Sequence, residues 1–199
     1  VRGPNIKPMP VGTPIAGDLE AKVSGVRGDN ITTDDITPAN AQFSALRSNI
    51  PEISKHCYGR MDPGFAERCR EYGKSILVAG ENYGQGSSRE HAAISPMYLG
   101  VKAILAKSMA RIHKNNLVNH GVVPLLFQNP KDCDIFSLGD DIRIADFAAS
   151  LRARSVLVEN RTKGVAARAT VDLTDREIEV LIAGGQLRAV KDRNQAPQA

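Results

Sequence analysis

Residues 84–91, GQGSSREH, place two glycines, two adjacent hydroxyls and a guanidinium side by side, just after the apolar run SILVA. A helix beginning at Ser88 or Arg89 would turn its unpaired N–H groups and the positive end of its dipole toward the loop, which makes an anion site before any side chain is counted. Arg89 adds a planar fork suited to a carboxylate or phosphate. Gly84 and Gly86 let a ligand come close to the backbone. The same positive field would ease loss of a serine proton and so create a base for proton abstraction. Two other readings stand beside this one. Ser87 and Glu90 spell an S-x-x-E capping box, a purely structural device. The glycines also suggest a nucleotide loop, but Arg89 stands where the third glycine of G-x-G-x-x-G belongs. Lys107, not an acid, lies about 20 residues beyond the loop, so the ribose-binding carboxylate is missing.

The remaining polar residues direct less. Thr32, Thr33, Asp34 and Asp35 read as a turn cluster explained by Asx chemistry alone. Taken singly, Arg47 reads as a solvated arginine, and His91 and His113 as helical histidines with local hydrogen bonds. No His, Cys and carboxylate spacing specifies a metal. The arginines from Arg152 to Arg168 read as a solvated strand face.

The elements that must position these groups follow from periodicity and punctuation. Residues 1–17, with four prolines and three glycines, read as an extended leader. LEAKVSGV (19–26) alternates as a strand, and GDNITTDDITPAN reads as a long loop. Asp62 before Pro63 predicts a helix start, with Phe65, Cys69 and Tyr72 on one face and Gly73 as the stop. SILVA is a strand, and residues 88–95 are a helix limited by Pro96. VKAILA is a strand, ARIHKNNLVNH a helix closed by Gly121, and VVPLLF a strand. This β-α-β-α-β order predicts a parallel core. DDIRIA, SVLVE and AARATVDL add three strands with few helical residues between them. Thr174 and Glu177 form a capping box for a final helix ending at the glycine pair 184–185. Residues 18–190 form one α/β domain, and residues 191–199 a flexible tail.

Composition sets outer limits. The 199 residues are 42% hydrophobic and 24% charged, ordinary for a globular protein. No apolar run approaches the roughly 18 residues that span a bilayer. The start, VRGPNIKPMP, lacks both a signal core and an initiator Met, which fits a fragment or a processed product. Three widely spaced cysteines form no CxxC, which argues against a disulfide framework or a self-contained iron–sulfur site and for a reducing, cytoplasmic compartment. A net charge of +4 and few aromatics give nucleic acid binding little support.

GENYGQGSSREHAA, followed by YLGVKAILAKSMARIHKNNLVNHGVVPL, closely resembles the C-terminal swivel domain of aconitase-type hydro-lyases. GDNITTDDITPAN resembles the family's TTDHI loop, and LRSNI a segment of its bacterial-type branch. The resemblance is strongest over residues 19–145 and looser toward 190. It implies a swivelling β/β/α domain, a mixed sheet with flanking helices, that closes over a [4Fe-4S] cluster held by other domains. It implies interconversion of citrate and isocitrate through cis-aconitate, a step of the tricarboxylic acid cycle. By the same resemblance Ser87 matches the serine base, Ser88 and Arg89 match substrate-binding positions, and Arg47 matches the arginine that grips a substrate carboxylate. The spacing from Asp34 to Arg47 is one residue longer than in animal-type enzymes. Asp34 matches a supporting active-site aspartate, and Asp35 stands where the family has histidine. The expected partners are the iron–sulfur domains or large subunit and the tricarboxylate itself. The chain alone is expected to be inactive and to bind no cluster. Two alternatives remain: the small subunit of a 3-isopropylmalate or homoaconitate dehydratase, and an RNA-binding aconitase relative.

Overall fold

The structure, a computed structural model, describes residues 6–195. Its frame is a parallel half-sheet. Strand β1 (Leu19–Val26) pairs in parallel with β2 (Ser75–Ala79), β2 with β3 (Val101–Ala106), and β3 with β4 (Val123–Phe127). The crossovers are helical. Helix α4 (Phe65–Tyr72) precedes β2, α5 (His91–Tyr98) links β2 to β3, and α6 (Arg111–Asn119) links β3 to β4. Three short turns, α1 (Thr33–Ile36), α2 (Ala41–Ser44) and α3 (Ile50–Ile53), lie in the long segment between β1 and α4.

The second half is antiparallel. Strands β5 (Asp141–Ile144), β6 (Val156–Asn160) and β7 (Val165–Thr170) pair in turn, β7 joins β4, and β5 joins β1. The mixed sheet therefore closes on itself in the order β1-β2-β3-β4-β7-β6-β5. Closure leaves no sheet edge to be capped. Helix α7 (Phe147–Arg152) sits between β5 and β6, and α8 (Asp175–Ile182) and α9 (Gln186–Gln195) end the described chain.

Strand alternation divides the core. Along β2, Ile76 and Val78 enter the cluster inside the closed sheet, with Leu105, Leu125, Ile144 and Val158. Leu77 and Ala79 point the other way, into a second cluster with Phe65, Ala92, Ile104 and Leu117 under the helices. Both faces of β2 are thus covered and all five of its residues are buried, which is why every residue of SILVA after Ser75 is apolar.

Several expectations need correction. The helix predicted from Asp62 starts at Phe65, because the Asp62 carboxylate turns to Arg27, at 2.6 Å, and to Arg68 instead of capping. The helix predicted over 88–95 starts at His91 and runs through Pro96 to Tyr98. Pro96 costs one internal hydrogen bond but is buried, and the amides of Leu99 and Gly100 close the last turn on Ser95 and Met97. The 28–40 loop contains α1, and α7 and α9 were not foreseen. The leader is not loose where it is described. Ile15 N–H bonds to Ile182 O at 2.9 Å, and Gly12 passes so close to Gly184 that a Cβ would lie 2.2 Å from its carbonyl oxygen. The tail expected from 191 is helical to Gln195. Residues 1–5 and 196–199 lie outside the described residues.

Candidate active site

The site forms where loops leave the C-terminal ends of β1, β2 and β3, the end of a parallel sheet at which α/β folds bind ligands. Three loops are laced together there. Isolated bridges join Thr32 to Gln85 and Tyr83 to Met109. The Asn82 amide donates to Asn30 Oδ1 at 3.1 Å and to Gln85 Oε1 at 2.9 Å, and the Gln85 amide donates to Asn30 O at 3.0 Å. Sequence reasoning missed this amide net. Its signal was the asparagines: Asn30 and Asn82 both hold positive φ, 59° and 55°, which asparagine tolerates better than most residues.

Lacing explains why the serine segment does not wind into helix. The Thr33 hydroxyl donates to Ser87 O at 3.1 Å, and the Arg89 guanidinium pairs with Asp34. Both contacts pull residues 87–89 onto α1, so α5 begins only at His91 with Glu90 as N-cap, and no side chain caps it. The Ser87–Glu90 capping box is therefore not formed. Ser87 and Ser88 are left exposed.

A capping box does form one loop away, at a position the resemblance had left open. Thr32 Oγ1 accepts from Asp35 N at 3.1 Å, and Asp35 Oδ2 accepts from Thr32 N at 2.9 Å. Asp35 thus closes the first turn of α1 and aims Asp34 outward at Arg89. That exposed ion pair contributes little to stability and serves to fix the guanidinium.

Arg47 arrives from a different direction. It is exposed in the segment between α2 and α3, which is anchored by Ile50 and Ile53 packing on Ile94 of α5. The His91 Nε2 lies 2.8 Å from Arg47 O and ties this segment to the start of α5. Arg47, Ser88, Arg89 and His91 thereby line one cleft of about 310 Å3. Ser87 lines its neighbour, a cleft of about 550 Å3 that Ser88 shares. All five predicted residues lie around one serine ridge, with Asp34 contributing through Arg89.

Two glycine assignments need revision. Gly84 (φ 79°) is buried, and a Cβ there would lie 2.1 Å from His113 Cδ2, so its bareness admits the His113 ring and not a ligand. Gly86 (φ 103°) is exposed and its nearest neighbour would be Thr33 Oγ1 at 3.5 Å, which does leave the backbone open. Beneath the ridge the Tyr58 and Tyr83 hydroxyls bond to each other, and burial pushes both phenols well up. The Arg27 guanidinium stacks 4.7 Å from the Tyr58 ring centroid.

The cysteines do not fit an iron–sulfur cluster. Cys57 and Cys69 are free thiols buried in the cluster under the helices, whereas Cys133 belongs to the cluster inside the closed sheet. Among the described residues no group of three or more His, Cys, Asp or Glu side chains could hold a metal ion.

Residues 38–130 match the family model of the aconitase C-terminal domain. The chain is 38% identical over 164 residues to the 3-isopropylmalate dehydratase small subunit 2 of Archaeoglobus fulgidus, covering 82% of this chain and 90% of that one. It is 35% identical to the homoaconitase small subunit of Methanocaldococcus jannaschii, over 83% of this chain and 88% of the relative. It is also 36% identical to a probable mitochondrial aconitate hydratase of Caenorhabditis elegans, of which it spans only 22%. The crystal structure of a 3-isopropylmalate dehydratase from M. jannaschii superposes with a TM-score of 0.71 at 31% identity, covering 89% of this chain and 95% of that one. The chain belongs to the aconitase family of hydro-lyases, as a C-terminal-type domain of mixed α/β fold.

Proposed function

We propose that the chain is the swivel component of a hydro-lyase that moves water across a carbon–carbon double bond of a small polycarboxylate, working with an iron–sulfur part carried elsewhere. Two relatives that the chain covers over most of their length are named small subunits, and a third is an aconitate hydratase of which it spans 22%, so the iron–sulfur part belongs to a partner subunit or to further domains. The observation that carries the reading is the serine ridge: exposed Ser88 shares one cleft with Arg47 and Arg89, and exposed Ser87 stands next to it on the adjoining cleft.

In this reading Arg47 and Arg89 bind and orient carboxylates of the substrate. Ser87 Oγ takes a proton from the carbon next to the hydroxyl-bearing carbon. The C–H electron pair becomes the new double bond, the C–O bond breaks, and hydroxide departs; hydration is the reverse. The [4Fe-4S] cluster, held by the partner, would supply Lewis acidity to the departing hydroxyl. Ser88 contributes a hydroxyl to carboxylate binding. A reducing compartment such as the cytoplasm suits three unpaired thiols.

Within the family, Arg47 favours a tricarboxylate of the citrate or homoaconitate kind over an acid with an isopropyl tail. A guanidinium facing an apolar tail loses its water without gaining an acceptor. The test assembles the chain with its iron–sulfur partner and compares kcat/KM on a tricarboxylate and on an isopropyl-tailed acid. The tricarboxylate should be preferred. Arg47→Ala should cost it about 1.5–3 kcal/mol, roughly ten-fold or more in kcat/KM, and cost the apolar acid less. Preference for the isopropyl acid, with Arg47→Ala neutral, would sink the assignment.

A further inference from the structure

The cleft on the far side of the serine ridge contains groups that the proposed reaction does not use. Helix α6 starts there, and its N-cap, Ala110, has no side chain to accept from the first-turn amides. Arg111 lines the cleft, is exposed, and takes part in no ion pair among the described residues. His113 and Asn116 line the same cleft from α6 while being almost wholly buried, 1% and 8% exposed. Both ring nitrogens of His113 and the Asn116 amide nitrogen have no hydrogen-bond partner among the described residues. A buried donor left unpaired costs free energy, and here two such side chains lie beside one helix start.

The set is weighted toward donors, with the second ring nitrogen of His113 and the Asn116 carbonyl oxygen as its acceptors. Helix amides, a guanidinium and a carboxamide NH2 all donate. Burial lowers the His113 pKa to about 4, so near neutral pH the ring is uncharged and carries one N–H. The acids around it are occupied elsewhere: Asp172 and Glu177, which share the adjoining cleft with Arg111, are held by Lys114 at 2.7 Å and by the Thr174 cap, and Asp34 and Asp35, next to Thr33, are held by Arg89 and by Thr32. A ligand that accepts hydrogen bonds and carries negative charge is what such a set binds.

We propose that this cleft binds a small oxyanion, a carboxylate or a phosphate, held by the first-turn amides of α6, the Arg111 guanidinium and the Asn116 amide. The site lies across the serine ridge from Arg47 and shares Ser87 and Ser88 with the proposed reaction, but it rests on donors of α6 that the reaction does not use.

The test titrates the 15N-labelled chain at constant chloride ionic strength, with inorganic phosphate in one arm and citrate in the other. Saturable shifts are expected at the amides of Arg111, Ile112 and His113 and at the Asn116 side chain. Saturation by only one titrant identifies which oxyanion the site takes. Arg111→Gln, an exposed change that leaves the core intact, should weaken binding about ten-fold or more. Arg47→Ala should leave it within about two-fold. No saturable shift at α6 with either titrant overturns the proposal. So do α6 shifts that vanish with Arg47→Ala but survive Arg111→Gln, since the anion would then belong to the other cleft.

Discussion

Replacing Ser87 by alanine separates chemistry from structure more cleanly than the sequence alone suggested. As an N-cap, Ser87 would cost about 0.5–2 kcal/mol on removal. The structure removes that term. Helix α5 begins at His91 under Glu90, Ser87 is exposed, and its contact with the TTD loop runs through its backbone carbonyl, which alanine keeps. An exposed substitution of this kind costs within about 0.5 kcal/mol. For a chain near this size that is a shift in Tm of only about 1–2 °C. If Ser87 is the base, kcat should fall by about 10²–10⁴, with KM changed far less. The assay is turnover of the assembled, cluster-loaded enzyme, followed by absorbance of the unsaturated acid, with thermal unfolding on the same preparation. Ser88→Ala serves as a control that should raise KM more than it lowers kcat. An unchanged Tm together with near wild-type kcat in Ser87→Ala would refute the reasoning.

Three further outcomes are expected. Asp35→Ala opens the α1 capping box and should cost about 0.5–2 kcal/mol in denaturant unfolding, and an unchanged midpoint would show the box to be idle. His91→Ala cuts the tether to the Arg47 carbonyl and should raise KM several-fold with kcat nearly kept; His91→Gln should recover part of the loss, and equal falls in kcat for both variants would argue against a positioning role. Burial lowers the His113 pKa from 6.5 to about 4. The unfolded chain then binds the extra proton first, so stability should fall by about 3 kcal/mol as pH drops from about 6.5 to about 4. His113→Phe should flatten that part of the curve in buffer free of phosphate and citrate, and an unaltered pH profile would assign the acid loss to other groups.

The sequence by itself determined the parallel half of the fold and the family. VVPLLF is apolar throughout, and SILVA and VKAILA are apolar but for Ser75 and Lys102, because both faces of each strand are covered, and that property can be read in one dimension. The Thr174–Glu177 capping box is equally local and formed as expected. The serine motif carried the family because its eight residues act over a short stretch of chain. What the tertiary structure decided was where local signals lost to distant partners. Ser87 and Glu90 had the right spacing to cap a helix, yet Thr33, 54 residues away, holds the Ser87 carbonyl, and Asp34 draws Arg89 aside. Gly84 was legible as a special backbone position, but only the fold showed that it admits the ring of His113. Closure of the sheet through β7 on β4 and β5 on β1 rests on pairings between strands far apart in the chain, which no local pattern encodes. The cleft at α6 was invisible for the same reason: a histidine and an asparagine three residues apart look like ordinary helical residues until packing buries them without partners.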